Sequence, residues 1–211
     1  MKNEEINVVK NEAIPNLLVY NVRGNIIDMV MENIISKHTE NDLRVFILDN
    51  SVISYENYND CLNLILPIKK SDADIMSIID WLYEEIKCRE RKFNDYKVKN
   101  ISQYNNTSND KMPKILLCIN DVVNTIEFLA YQEKYSEFKN IISEIGIYGN
   151  RYGIQIILAT RFNSEDANIK EISSFFEKLT LSFGFSIKTC SSFQKDKSLR
   201  ILLTFEGIET T

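Results

Sequence analysis

Three polar clusters in the 211-residue chain each follow a short apolar run, and their residue types suggest phosphate chemistry. The first is residues 21–28, NVRGNIID, after the run 17–20. A loop that wraps phosphate needs glycines to turn its N–H groups inward, a lysine for the outer phosphates and a hydroxyl for magnesium. Here only Gly24 is of that kind; Arg23 and Asn25 flank it, Ile26 and Ile27 stand in the glycine and lysine places, and Asp28 replaces the hydroxyl. A carboxylate there repels a γ-phosphate, and isoleucine resists the backbone angles glycine adopts. Arg23 is the one side chain in the turn that could approach an anion.

The second cluster, Asn120-Asp121, closes the apolar run 115–119, where an acidic pair would hold magnesium and orient water. Asn120 can coordinate through its carbonyl but brings no charge, and Asp121 is the candidate base. The alternative is that Asp121 caps the helix that follows. The third cluster, Thr160-Arg161, ends the run 153–159 and is placed to sense a ligand. In an open parallel sheet, ligands gather at the carboxyl ends of the strands, which is where all three clusters fall.

The elements that must position them follow from periodicity. A strand at 17–20, an amphipathic stretch from Ile26 to Lys37 and a second apolar strand at 43–48 make a parallel βαβ unit. Residues 62–66, before Pro67, read as a further strand. A long helix is expected from Ser71, with Asp72 and Asp74 in its favourable first turn and Ile75, Ile78, Ile79, Leu82 and Ile86 inward. After a polar loop at 105–112 come a strong core strand at 115–119, a helix reaching a stop at Gly149, and a strand ending at Thr160. A short helix around 169–176 and two strands near 179–187 and 199–205 complete the order. This order predicts an α/β fold: one mostly parallel central sheet with helices on both faces, in a single domain spanning 1–211.

Composition narrows the function classes. The net charge of -5 exerts no global pull on nucleic acid, so DNA contact requires a local basic surface. The stretch from Glu84 to Lys92 alternates acids with Lys87, Arg89, Arg91 and Lys92, read as charge pairs on a solvated helix face or, continued through Lys97 and Lys99, as a partner surface. Cys61, Cys88, Cys118 and Cys190 form no CxxC pair and His38 is the single histidine, so no metal site and no histidine-based hydrolase is expected. His38 ends a helix, where its charge suits the dipole. The polar N-terminus and the lack of a long apolar run lead to the expectation of a cytoplasmic chain without a membrane segment.

Five stretches resemble the motor domain of the FtsK/SpoIIIE DNA-translocase family, in that family's order, over about residues 14–190. They are 14–19 (IPNLLV), 43–49 (LRVFILD), 89–105 (RERKFNDYKVKNISQYN), 112–121 (MPKILLCIND) and 152–160 (YGIQIILAT). The resemblance implies a RecA-like P-loop NTPase fold, with residues 21–28 as Walker A and Asn120-Asp121 as Walker B. It also exposes coordinated departures: Ile26-Ile27-Asp28 for glycine-lysine-serine, Asn120-Asp121 for Asp-Glu, Arg161 for glutamine, then Phe162 and Asn163 for arginine and proline. Ser192-Phe193-Gln194 stands where an arginine finger would be supplied. The expectation is a pseudo-ATPase without a cofactor that acts by binding, as an accessory or regulatory partner in DNA transfer. Its partners would be an active FtsK-like motor or a secretion ATPase, DNA, or copies within a homo- or hetero-oligomer. Two alternatives are a divergent working ATPase subunit of a translocase, which would use ATP and magnesium, and a pseudo-ATPase module of a type VII-like secretion apparatus. A purely structural subunit holding an oligomer interface is a third.

Overall fold

The computed structural model describes residues 16–20, 26–49, 58, 60–69, 73–161, 170, 172, 177–182 and 202–206. The strands are β1 (Leu17–Tyr20), β2 (Leu43–Asp49), β3 (Lys114–Asn120), β4 (Ile154–Ala159), β5 (Glu177–Ser182) and β6 (Leu202–Glu206). The helices are α1 (Ile26–Ile35), α2 (Ala73–Asp95), α3 (Ile101–Thr107), α4 (Val122–Tyr131) and α5 (Tyr135–Tyr152). The strands form one sheet in the order β2-β3-β4-β1-β5-β6, parallel except for β6.

β2, β3 and β4 are apolar almost throughout, because both faces of a parallel sheet are covered. Their side chains alternate between two cores. Val45, Ile47, Leu116, Cys118 and Ile157 pack with Ile27, Val30, Met31 and Ile34 of α1. Phe46, Leu48, Ile115, Leu117 and Ile156 pack on the other face with residues of α2, α3, α4 and α5. The predicted isoleucine stripe of α2 is this buried face, and Asp74 lies in its first turn. Burial pushes the Cys118 thiol up, which suits an inert core residue.

Several expectations need correction. Residues 62–66 are not a strand: only Leu64 and Lys69 bridge to β2, while Leu62 is 72% exposed. Asn63 instead turns inward and donates its amide to the Leu43 carbonyl at 2.9 Å. Helix α5 does not stop at Gly149 but runs to Tyr152, and Gly153 ends it in the left-handed conformation (φ 71°). Gly149 answers a different need: a Cβ there would lie 2.2 Å from the Ile154 carbonyl oxygen. The polar stretch 105–112 begins inside α3. Ser71, Asp72, most of 169–176 and parts of the last two predicted strands lie outside the described residues.

Arg89 is the largest correction. Placed on a partner surface by its neighbours in sequence, it is 2% exposed. Its guanidinium donates to the carbonyls of Tyr152 (2.7 Å) and Pro113 (2.9 Å) and to the Glu85 carboxylate (2.8 Å). It thereby joins the end of α5 to the approach into β3, using the planar fork that only arginine offers. Burial lowers its pKa, with Glu85 opposing. Around it Phe93 stacks on Tyr152, and Tyr104 packs against Phe93. Asn100 caps α3 through the Gln103 N–H, and Asn105 pairs both its amide and its carbonyl with the backbone of Met112.

Arg89→Ala strands two buried carbonyls and an acid, so it is expected to lower unfolding free energy by about 3 kcal/mol. Urea denaturation checks this; a loss below about 0.5 kcal/mol would place the residue on the surface instead.

Candidate functional site

The register of the sheet assembles the site. Asp49 pairs with Asn120 and Asn120 with Ala159, so the ends of β2, β3 and β4 lie in one row. Ala159 is level with Val19 of β1, and the Thr160 N–H donates to the Val19 carbonyl at 2.9 Å. Helices α1 and α4 start from this same edge. Of the sequence-predicted residues, Asp28, Asn120, Asp121, Thr160 and Arg161 come to it. Arg23, Gly24 and Asn25 lie outside the described residues, Ile26 opens α1, and Phe162, Asn163 and 192–194 also lie outside.

Ile27, in the lysine place of a phosphate loop, is fully buried among Val30, Met31 and the α1 face of the sheet. Asp28 follows in the first turn of α1, where the helix dipole favours an anion. Its carboxyl is nevertheless pushed up to about 6, first by burial, then by the charges of Asp49 and Glu32. Tyr58 covers this turn, its hydroxyl donating to the Asp28 main-chain carbonyl at 2.7 Å. Burial, and after it the charges of Asp28 and Glu32, raise the tyrosine pKa, so it stays a neutral donor.

Asn120 donates its amide to the Asp49 carboxylate at 3.0 Å. An asparagine in that place cross-links two strand ends, where a second acid would have repelled Asp49. Asp121 is 3% exposed and adopts the left-handed conformation (φ 63°, ψ 53°), which aspartate tolerates better than most residues. Asp121 holds the N-cap position of α4, as the capping alternative expects, but its side chain makes no cap hydrogen bond to the helix backbone. It accepts instead from the Asn124 amide at 2.9 Å and from Arg161 at 2.8 Å. That ion pair joins the polar ends of β3 and β4. Thr160 is fully buried beneath it.

Sequence reasoning did not single out Asp49, Glu32 and Tyr58 as site residues. Asp49 was visible only as the end of a strand, and its link to Asn120 needs the β2–β3 register. Among the described residues no group of three or more side chains could hold a metal ion. The cationic stretch does not gather at this edge. Lys87 pairs with Glu84 (2.9 Å) and lies over Tyr83, and Lys92 pairs with Asp110 (3.4 Å). Arg91, Lys97 and Lys99 are exposed.

A parallel sheet of this order, helices on both faces and polar strand ends in one row define a RecA-like P-loop NTPase fold. The chain belongs to the FtsK/SpoIIIE family, which matches residues 24–174. It is similar to the DNA translocase FtsK of Clostridium tetani, 21% identical over 161 residues, covering 72% of this chain and 21% of the relative. FtsK of Campylobacter jejuni is 24% identical over 163 residues, covering 74% and 17%. The chain thus spans about a fifth of the length of the curated relatives it matches. Among solved structures, the pCW3 conjugation coupling protein TcpA superposes with a TM-score of 0.64 at 13% identity, over 79% of this chain and 48% of that one. The second and third ATPases of EssC from Geobacillus thermodenitrificans give 0.61 at 18% identity, over 79% and 32%. No described helix is long and apolar enough to cross a membrane.

Asp28 provides a pH signature. Its pKa is higher in the folded chain than the ordinary value near 3.9, so the folded state binds the proton more tightly. The stability it contributes is complete below about pH 4 and lost as the pH rises through about 6. Asp28→Asn, which mimics the neutral acid, should be more stable than the parent at pH 8 and equal to it below pH 4. Urea denaturation across that range measures it, and a pH-independent difference would refute the assignment.

Proposed function

We propose that this chain is a non-hydrolysing domain of the FtsK/SpoIIIE fold that acts by binding, as an accessory or regulatory subunit in DNA transfer. The observation that carries the reading is the acid group at the loop edge. Asp28, aligned with the magnesium-binding hydroxyl of the family, faces the charges of Asp49 and Glu32 and already resists ionisation. Adding a triphosphate there would compound repulsion that the helix dipole does not offset. Two further features support it. Ile27 is packed into the core and offers no charge to a phosphate where the family's lysine would stand. Asp121, the candidate base, is engaged by Arg161 and Asn124.

The described residues therefore do not fit a magnesium-bound triphosphate, and no hydrolytic step is assigned to them. Within this reading the chain is one cytoplasmic domain. Its partner is an active motor of the same fold, in DNA transfer or, as the alternative, in a type VII-like secretion apparatus. Isothermal titration with Mg-ATP is expected to show no binding in the micromolar range, and phosphate release should match a protein-free control. Micromolar affinity, lost on Arg23→Ala, would overturn the proposal in favour of a divergent working ATPase.

A further inference from the structure

Among the described residues Tyr131, in the last turn of α4, is the most exposed large apolar side chain, at 84%. A lone exposed ring is ordinary on a protein surface. This one is flanked by Glu127 and Glu133, both exposed, and neither pairs with a cation among the described residues. Lys134, the nearest cation in sequence, pairs with Glu137 at 3.0 Å. The corner also has a fixed shape. The Lys134 N–H donates to the Leu129 carbonyl at 2.8 Å and the Glu133 N–H to the Ala130 carbonyl at 3.1 Å. These two bonds close the helix end around Glu133, which is left-handed (φ 58°). Glycine is the usual residue there, because a side chain is strained in that conformation. The strained position instead carries a carboxylate beside Tyr131, and strain of this kind gathers at functional surfaces.

A surface of the reverse character lies elsewhere on the chain. A groove of about 360 Å³ opens beside α2 at the amino ends of β2 and β3. Ile65, Met112, Pro113 and Ile115 line it, and so does Trp81, half-buried and edge-on to Phe46 with ring centroids 5.2 Å apart. Both acids of the groove are already engaged, Glu85 with Arg89 at 2.8 Å and Asp110 with Lys92 at 3.4 Å. Arg44 and Lys111 have no carboxylate partner among the described residues. Arg44 reaches the Leu64 carbonyl at 3.5 Å, and Lys111 donates to the Asn105 carbonyl. The groove therefore offers an indole face and two uncompensated cations.

We infer that Tyr131 of one copy of this chain docks in the Trp81 groove of a second copy, with Glu127 and Glu133 facing Arg44 and Lys111. At 84% exposure Tyr131 does not fill the groove of its own chain, so the occupant comes from another molecule. Two aromatic rings meeting in an apolar groove supply the anchor, and two carboxylates opposite two cations fix its orientation. Knob and groove share no residue, so the contact is head-to-tail rather than twofold. It uses none of Asp28, Asn120 and Asp121, and stands independently of the proposed loss of hydrolysis.

Sedimentation velocity of the full chain without nucleotide, from about 1 to about 100 μM, tests this. The parent should gain mass with concentration. Tyr131→Ala, which removes the knob, and Arg44→Glu with Lys111→Glu, which reverses the groove, should each weaken association at least about tenfold. An equimolar mixture of the two should recover a 1:1 pair and stop there, because one brings an intact groove and the other an intact knob. Glu133→Gly separates a structural role from a docking one: it should raise the melting temperature by relieving the strained corner, yet weaken association. Thermal melts show that each variant is folded, and Lys111→Glu alone replaces the double variant if that one is not. A parent that stays monomeric at about 100 μM leaves the groove to a foreign partner or to none, and overturns the inference. So do folded variants that associate like the parent, or a mixture that remains monomeric.

Discussion

The polarity of the parallel sheet is the constraint on which the rest depends. Because β1 to β5 run the same way, helices that follow a strand start at one edge and those that precede one end at the other. Helix N-termini then line the carboxyl ends of the strands with partial positive charge. In a phosphate-binding domain that field is spent on the ligand. Here the chain supplies anions of its own, with Asp28 in the first turn of α1 and Asp121 at the start of α4. The opposite edge collects helix C-termini, and with them Lys92, Arg151 and the His38 ring. One topological fact thus separates the charges of an otherwise mildly acidic chain.

Against that background the segment 89–105 changes meaning. It carries the most specific likeness to the translocase family, and its cations suggested an interaction surface. Five of its residues are framework, since Arg89 bonds two carbonyls, Phe93 and Tyr104 fill the core, Asn100 caps and Asn105 clamps, while Arg91, Lys97 and Lys99 stay exposed. Such a motif is retained as long as the fold is, whatever becomes of the catalytic edge. Ile27, at the position of the family's lysine, is itself part of that framework, since its side chain is fully buried against the sheet.

Periodicity and turn chemistry made most of the architecture legible. The βαβ start, the long α2 stripe and the β3 and β4 runs all appear in the sequence because burial on both faces leaves continuous apolar signatures. The failures share a physical origin. Leu62 to Leu66 looked like a strand because apolar runs do not reveal pairing, and Gly149 looked like a stop because its close approach to Ile154 is tertiary. Within the site, residue types disclosed Asp28, Asn120, Asp121 and Arg161. The bonds among them did not follow from type, since Asn120 meets Asp49 only through register and Asp121 meets Arg161 across two strands.

The segment beside β2 has a further effect on how the domain can meet its neighbours. Four main-chain hydrogen bonds occupy the outer side of that strand: Val45 N–H to Asn63, Ile65 N–H to Val45, Lys69 N–H to Ile47 and Asp49 N–H to Lys69. An open edge there would template the addition of a foreign strand, the route by which sheets grow into irreversible aggregates. With those groups already satisfied, approach from this side is confined to side-chain contacts. That flank is thereby a poor template for sheet growth, a protection built from a segment that is not itself a strand.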